Sequence, residues 1–288
     1  MKHPTTTGHE PVGQTHEVST NTEFPEAAFI RVEHQDDGTE IFRPTGICRG
    51  PWNLDHCHAG PPTALLARAV EQLLPAQRLV RLTVELTRPV PMAGFTIEAN
   101  TTRSGRTVST ATARIVDLDG RQIAVANSSH LTPQPTDEHM PTATIATPDP
   151  AESNSGDFPL ASTRHGAVGF TDGTTISYPS GEDRMPGPTT LWMTTAPIVE
   201  GELPTPFQRI CPLADCGNAV SRNAEPDQFG FVNTDLTIYL HREPIGDMLG
   251  TRAVSHWNSD GVGMSDALLF DGTGPVGRAV QTLLVNRT

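Results

Sequence analysis

The sequence has 288 residues, a formal net charge of −13, and 36% hydrophobic and 18% charged residues, which is typical of a soluble globular protein. The acidic charge argues against general nucleic-acid binding, which needs a basic face, although a local arginine pocket can still hold a small anion. No apolar run reaches about 18 residues and the polar start lacks a signal peptide, so we expect no membrane partner and a cytoplasmic location.

The first predicted unit spans residues 23–132 and follows a tail at residues 1–22, whose polar composition predicts disorder. A strand is predicted at Glu40–Pro44, before a loop rich in glycine and proline. Apolar residues on one stripe predict a buried helix over Thr63–Leu74, which the next residue, a proline, ends. Alternating patterns then predict four strands, at 78–88, 95–103, 107–116 and 122–131.

Residues 133–157 are predicted to be a mobile linker, because they are rich in Pro, Thr, Ala and acidic residues without an apolar period. The second predicted unit spans 158–288. It has a strand at 189–194 and a helix over 206–220 that two helix breakers, Pro212 and Gly217, weaken. Its four later strands are predicted at 228–242, 248–256, 262–270 and 276–285.

The two units repeat at a constant offset of 154 positions, the difference between Leu82 and Leu236. Residues 82–88 read like residues 236–242, and the match continues over about 45 residues, which indicates an internal duplication. The copies differ at two polar positions: Arg81 and Asn127 in the first unit stand where Asp235 and Gln281 stand in the second.

A His-x-Gly loop that opens a buried helix, followed by four long strands and repeated as a whole, resembles the double hotdog fold of TesB-like acyl-CoA thioesterases. The matching residues are 58–60 in the first unit and 235–242, 260–263, 271–272 and 277–285 in the second. The resemblance covers roughly residues 25 to 287. It implies an α+β fold in which two long antiparallel sheets each wrap around a central helix.

The resemblance also implies an enzyme that hydrolyses the thioester of acyl-CoA or of acyl carrier protein. In this family an Asp, a Gln and a Ser or Thr position and activate a water. Asp235 takes the place of the acid and Gln281 that of the glutamine. Ser255 takes the place of the hydroxyl, with His256 as the alternative if the register shifts by one residue.

Further candidates lie around the first helix. Gly60 is expected to let a substrate carbonyl approach backbone N–H donors, with His58 beside it as a pocket or accessory residue. Glu71 and Asp215, which align when the two predicted helices are superposed, are candidate helix carboxylates that face the sites. An arginine pair on one hairpin, Arg103 and Arg106, is a candidate to bind CoA phosphates.

No metal and no cofactor are expected. His56, Cys57 and His58 adjoin an aspartate but are too closely spaced to face one ion without a sharp turn. The four cysteines match no zinc spacing, so we expect free thiols.

Two other functions stay open. A hydratase or dehydratase acting on acyl thioesters could pair His58 with Asp55 or Glu71, although the Asp-x-Asn-Pro-x-His order of hydratases is absent. A non-catalytic acyl-thioester binder would tolerate loss of Asp235 and Gln281. Exposed sheet edges and faces also predict a homodimer or higher homo-oligomer.

Overall fold

The structure is a computed structural model that describes Met1 and residues 27–34, 39–137, 140–141, 143–160 and 166–288. The predicted disordered tail, apart from Met1, therefore lies outside the described residues. Within the described ranges, no helix is long and apolar enough to cross a membrane.

Each half of the chain contributes strands to one sheet and helices to one side of it. The first half contains β1 (Phe29–His34), β2 (Glu40–Pro44), α1 (Gly60–Leu73), β3 (Arg78–Leu86), β4 (Phe95–Arg103), β5 (Val108–Asp117) and β6 (Gln122–Leu131). The second half contains β7 (Asn154–Gly156), β8 (Thr174–Tyr178), β9 (Thr189–Thr195), α2 (Pro206–Ala214), α3 (Gly217–Val220), β10 (Phe229–Asn233), β11 (Asp235–Leu240), β12 (Leu249–Trp257), β13 (Val262–Asp271) and β14 (Gly274–Arg287).

The strands of the described residues form one antiparallel sheet in the order β1-β2-β4-β5-β6-β3-β11-β14-β13-β12-β9-β8-β7, with β10 also on β14. The order β2-β4-β5-β6-β3 in one half is mirrored as β9-β12-β13-β14-β11 in the other. The halves meet where Thr83 on β3 pairs with Thr237 on β11, and these two residues are equivalent at the predicted offset. The topology thus confirms the internal duplication.

One predicted equivalence is wrong. Gln281 lies opposite Ser265 on the neighbouring strand, and the matching residue of the first half, Ala111, lies opposite Ser128. Gln281 follows its partner Ser265 by 16 positions, whereas Ser128 follows its partner Ala111 by 17, so the register of β14 is shifted by one residue. Ser128, which is buried, is therefore the counterpart of Gln281, whereas Asn127 is exposed.

The helices pack on the sheet and on each other. α1 contacts β3, β4 and β5, α2 and α3 contact strands of the second half, and α1 contacts α2. α1 begins at Gly60, before the predicted start, because Pro61 and Pro62 occupy the first turn, where a backbone N–H has no partner within the helix. Most of the circumference of α1 is buried, as predicted.

The second helix is interrupted where the sequence predicts one segment over 206–220. Pro212 lies inside α2, which ends at Ala214, and α3 starts at Gly217. A Cβ at Gly217 would lie 2.8 Å from Ser265 Oγ, so a larger residue would displace this side chain where the chain passes close to the sheet. Asp215 is left at the break, with its side chain free to turn towards the start of α1.

The predicted strand over 228–242 is also divided. Its first part, β10, pairs Asn233 with Leu283, whereas β11 pairs Thr237 with Val280, so one extra residue is inserted near Thr234. Such an insertion is a β-bulge, which changes the face towards which the following side chains point.

The predicted linker is partly wrong in extent. Its last residues form a single 3-10 turn, Pro150–Glu152, and strand β7, which pairs with β8. The Tyr178 hydroxyl donates to the Asp157 carbonyl at 2.8 Å, fixing the end of this segment. Residues 154–156 therefore belong to the sheet, at its edge in the second half of the chain, and mobility of the rest stays a prediction.

The loop after β11 is held by a buried ion pair, and its removal should destabilise the fold. Arg242 donates to both oxygens of Asp271, at 2.6 and 2.8 Å, and the Asp271 side chain has 0% exposure. We expect Arg242→Ala to lower the free energy of unfolding in urea by about 2–3 kcal/mol, because it leaves a buried carboxylate without its cation.

The matched control for this substitution is Arg278→Ala. Arg278 pairs with Asp266 on the surface, where both side chains are largely exposed. The expected loss of stability is less than about 1 kcal/mol. Equal losses for the two variants would show that burial of the Arg242–Asp271 pair is unimportant.

Candidate active site

A cavity of about 340 Å³ lies between the loop before α1, the segment after β3, and β10. Its lining is mainly apolar and includes a few polar and charged side chains. The lining residues are Gly50, Pro51, Trp52, Asn53, His56, Cys57, His58, Ala59, Leu86, Thr87, Arg88, Pro89, Val90, Leu160, Asp215, Asn218, Ala219, Phe231, Val232, Asn233 and Thr234.

The cavity exists because two strands diverge. The Leu86 N–H still donates to the Thr234 carbonyl, but the N–H groups of Thr87 and Arg88 turn away to the Ile123 carbonyl. β10 instead stays with β14. The gap is closed on its far side by the loop before α1, since the Cys57 N–H donates to the carbonyl of Val90.

Asp215 is the buried carboxyl in the cavity wall, and several donors hold it. Oδ1 accepts from Asn233 Nδ2 at 2.8 Å and from Gln281 Nε2 at 3.1 Å. The backbone N–H groups of Ala59 and Gly60, at the start of α1, lie close enough to this carboxyl to lower its pKa. The break between α2 and α3 thus places one carboxyl at the N-terminus of the opposite helix, where a negative charge is stabilised.

Burial raises the pKa of the Asp215 carboxyl to about 7, although the hydrogen bonds from Asn233, Gly60, Gln281 and Ala59 each lower it. Burial disfavours the charged form, and the donors recover part of the lost hydration. The carboxyl therefore changes its protonation state near neutral pH, which is the range that suits a general base.

His58 contacts the same carboxyl from the other side. Its Nδ1 lies 3.1 Å from Asp215 Oδ2 and accepts from the Gly60 N–H at 3.2 Å. The ring stacks on Phe170, with centroids 3.9 Å apart. Burial lowers the pKa of the His58 imidazole to about 3, so the ring is neutral and can share a proton that Asp215 has taken up.

Gln281 is positioned as a support for Asp215. Besides its bond to the carboxyl, its Nε2 donates to the Asp215 carbonyl at 3.0 Å, while its Oε1 accepts from the Asn218 N–H at 3.2 Å. Gln281 is 1% exposed. The Asn218 side chain lines the cavity and makes no hydrogen bond to any described residue.

The structure does not bring Asp235 to Gln281. Asp235 Oδ1 accepts from the Thr282 N–H at 2.7 Å on the outer side of the sheet, whereas Leu236 and Gln281 face inward. The bulge at Thr234 is the physical reason, because it gives Asn233 the inward position that unbroken alternation would also give Asp235. The predicted grouping of Asp235 with Gln281 is therefore wrong.

Ser255 and His256 are also outside the cavity lining. Ser255 faces inward and its Oγ lies 2.9 Å from Ser221 Oγ, but the intervening strand β13 separates it from Gln281 by about 10 Å. His256 is exposed on the opposite face. The structure therefore does not bring Ser255, the residue predicted to take the place of the hydroxyl, to Gln281.

Gly60 lies at the start of α1, as expected, but its N–H is directed to His58 and Asp215. A Cβ at this position would lie 2.7 Å from Pro212 Cα, so glycine is needed for the close contact between α1 and α2. The residue positions the carboxyl in this structure and does not present a free oxyanion donor.

Arg103 and Arg106 lie away from the cavity. Gln77, just before β3, donates to the carbonyls of Gly105 and Arg106, whereas the cavity adjoins the other end of β3. The nine residues of β3 separate the two ends by about 26 Å. The predicted role of both arginines as phosphate ligands finds no support at this site.

Glu71 is the counterpart of Asp215 in the first half. It accepts from Thr205 Oγ1 at 2.8 Å and from Gln208 Nε2 at 2.7 Å, at the N-terminus of α2. Each helix thus places a carboxyl at the start of the other helix. Glu71 does not line the cavity described above, and the buried Ser128 takes the place of a glutamine in the first half.

Asp215 was foreseen as a helix carboxylate, whereas Asn233 and Asn218 were missed. Asn233 belongs to a stretch whose alternation the sequence shows, but the bulge that turns its amide to Asp215 has no sequence signal. Together the residues form a carboxyl with a near-neutral pKa beside an enclosed, mainly apolar space. This arrangement can take a proton from a water that attacks a bound acyl group.

The sequence matches family models for both domains of one kind of enzyme. Residues 48–131 match the acyl-CoA thioesterase N-terminal domain, and residues 142–285 match the acyl-CoA thioesterase C-terminal domain. A search of curated proteins gave no match.

Solved structures share the fold at low sequence identity. A protein assigned as a thioesterase from Novosphingobium aromaticivorans is 17% identical, with a TM-score of 0.71 over 89% of this chain and 98% of that one. A hot dog fold protein of unknown function from Alicyclobacillus acidocaldarius is 16% identical, with a TM-score of 0.69 over 89% and 96%. Acyl-CoA thioesterase II TesB2 from Mycobacterium marinum is 18% identical, with a TM-score of 0.62 over 90% and 96%.

These likenesses agree with the large antiparallel sheet and few helices described above, and they identify the fold as hotdog. The two family matches together cover most of the chain, on both sides of the junction between β3 and β11. The chain therefore belongs to the acyl-CoA thioesterase family and is a thioester hydrolase.

Proposed function

We propose that Asp215 is the general base of this thioester hydrolase and that the cavity beside it holds the thioester. The observation that carries the proposal is the position of Asp215: a buried carboxyl, bonded to Gln281 and Asn233, in the wall of the cavity. The family resemblance predicts Gln281 as a site residue. Its amide donates to Asp215, so we take Asp215 as the acid of the site.

In the proposed reaction, Asp215 takes a proton from a water held in the cavity while the water oxygen attacks the thioester carbonyl. The tetrahedral intermediate then collapses, the carbon–sulfur bond breaks, and the proton passes to the leaving thiolate. His58 hydrogen-bonds the carboxyl while it carries the proton. The unpartnered Asn218 amide, which faces the cavity, is the proposed donor to the oxyanion.

Asn233 takes the place proposed for the family's hydroxyl. It lines the cavity and donates through Nδ2 to Asp215. An amide can fix the carboxyl and accept a hydrogen bond from water through Oδ1, but it cannot exchange a proton as a hydroxyl can. Proton transfer is therefore assigned to Asp215 alone.

We also propose that each half of the chain is a complete hotdog unit whose sheet wraps around its helix. The mirrored strand order and the contacts of α1 and α2 with their own halves support this arrangement. Among the described residues, the acid, the glutamine and the cavity described above occur together in the second unit, so we assign the active site to that unit.

Hydrolysis of a panel of acyl-CoAs, with detection of the free thiol, tests the proposed function. Release of CoA with any acyl chain supports it. The enoyl-CoA absorbance assay is run beside it, because hydration without thiol release would favour the hydratase alternative. Binding of acyl-CoA with neither reaction would favour the non-catalytic binder. The carrier preference, the homo-oligomeric state and the cytoplasmic location stay predictions.

The pH dependence of hydrolysis should report on Asp215. The base works only when ionised, so kcat should rise with pH through about 7 and level off above it. The measurement is kcat between pH 5 and 9 for an acyl-CoA at saturating concentration. A rate that is flat across pH 6–8, with chemistry limiting, would contradict the assignment of the base.

A further inference from the structure

The cavity wall includes one arginine among the described residues, Arg88, and the mechanism above does not use it. Its side chain is exposed at the mouth, and it makes no ion pair or side-chain hydrogen bond to any described residue. By contrast Arg49, in the loop before α1, donates to the carbonyls of Leu54 and Val168 and has a structural role.

The backbone around Arg88 is fixed while the guanidinium is free. The Arg88 N–H donates to the Ile123 carbonyl at 3.1 Å, and the Leu86 N–H donates to the Thr234 carbonyl at 2.9 Å. Pro89 follows and restricts the chain further. Two residues beyond Arg88, the Val90 carbonyl accepts from the loop before α1. The backbone that carries this cation is thus fixed beside the cavity.

The cavity has an exposed rim, where Arg88 lies, and a buried floor, where Asp215 lies. Arg88, Thr87 and Pro89 are exposed, whereas Asp215, Phe231 and Val90 are buried. A thioester whose carbonyl reaches Asp215 must therefore leave its larger, hydrated part at the rim. That part is the thiol carrier, which is negatively charged in both coenzyme A and carrier proteins.

The overall charge of the chain favours a local cation where an anionic carrier binds. The chain carries a formal net charge of −13, which repels an anionic carrier at long range. An arginine offers a planar pair of donors to a phosphate, and a charge-assisted bond of this kind is stronger than a neutral one.

We propose that Arg88 binds a phosphate of the thiol carrier at the mouth of the cavity, as a binding residue for acyl-CoA or acyl-phosphopantetheine. The inference rests on the thioesterase function proposed above and extends it to the recognition of the carrier.

The experiment compares one acyl group on three carriers: coenzyme A, phosphopantetheine and pantetheine, the last of which has no phosphate. Arg88→Ala should raise KM for acyl-CoA about 10-fold and change kcat by less than about twofold. Its KM for acyl-pantetheine should stay within about twofold of the wild type. The KM of Arg88→Lys for acyl-CoA should lie between those of the wild type and Arg88→Ala, because lysine keeps the charge without the planar donor pair.

The three carriers also locate the phosphate. If Arg88→Ala raises KM for both acyl-CoA and acyl-phosphopantetheine, Arg88 contacts the phosphate next to pantetheine. If it raises KM for acyl-CoA alone, Arg88 contacts the nucleotide end. Arg106→Ala is the matched control, because Arg106 lies at the far end of β3, and it should leave all three KM values unchanged. An equal loss on acyl-pantetheine, or no loss on any carrier, overturns the proposal.

Titration of the protein with free coenzyme A separates this inference from the proposed function. The dissociation constant should rise about 10-fold in Arg88→Ala and stay unchanged in Arg106→Ala. If the wild type hydrolyses no thioester, the proposed function fails, and the titration alone decides on Arg88. Equal affinities of the wild type and Arg88→Ala would then overturn the inference.

Discussion

Asp215→Asn should lower kcat for thioester hydrolysis by about 10²–10⁴, with little change in KM. The substitution keeps the shape of the side chain and its acceptor to Asn233 and Gln281, so the fold should persist. It removes the group that takes the proton from water. Steady-state hydrolysis of acyl-CoA, with circular dichroism to confirm folding, measures the effect.

Two carboxyl-to-amide substitutions are matched controls for this result. Glu71→Gln changes the counterpart in the first half, which does not line the cavity described above, and Asp235→Asn changes an acid on the outer face. Both should keep kcat within about threefold of the wild type. If folded Asp215→Asn stays active while Asp235→Asn is inactive, the assignment of the base is wrong.

Stability provides an independent measurement on the same variant. Because its pKa is raised, the Asp215 carboxyl is more stable in the folded protein when it is neutral. The stability that the neutral carboxyl contributes is fully present below the pKa of the unfolded state, near 4. It is lost as the pH rises through about 7, the pKa in the folded state. Asp215→Asn lacks this loss. Its stability relative to the wild type, measured by urea unfolding at pH 5 and 8, should therefore increase with pH.

Gly60→Ala should lower both stability and activity. The new Cβ would lie 2.7 Å from Pro212 Cα and 3.1 Å from the Pro212 carbonyl, and these backbone atoms cannot move without shifting α2. We expect a loss of about 3 kcal/mol in unfolding free energy. The shift also displaces the N–H groups that hold Asp215, so kcat should fall about tenfold or more.

The control for this substitution is Gly272→Ala. A Cβ at Gly272 meets only Pro150 Cγ, at 3.7 Å, an ordinary contact distance. Its stability should change by less than about 0.5 kcal/mol. Thermal unfolding and hydrolysis assays compare Gly60→Ala with Gly272→Ala. Equal midpoint temperatures of unfolding would show that α1 and α2 can move apart to accept the extra methyl group at little cost.

The sequence by itself determined the repeated unit and its elements. The offset between Leu82 and Leu236 appears in the structure as the pairing of Thr83 with Thr237, because duplicated strands lie side by side at the junction of the two halves. Strand β4 keeps both predicted bounds, and β12 is displaced by one residue at each end, since alternation and turn residues are local signals. The family resemblance is likewise confirmed, because its motifs lie within those elements.

Only the tertiary structure decided which acid meets Gln281. The bulge at Thr234 turns Asp235 outward, and the break after α2 turns Asp215 inward. Neither feature follows from hydrophobic periodicity, because both depend on how β10 and β11 share β14 and on how closely Gly217 passes Ser265. A one-residue change in register reverses the face of a strand. The acid that meets Gln281, which is the proposed catalytic group, is therefore decided by long-range pairing, which the local pattern of residues does not encode.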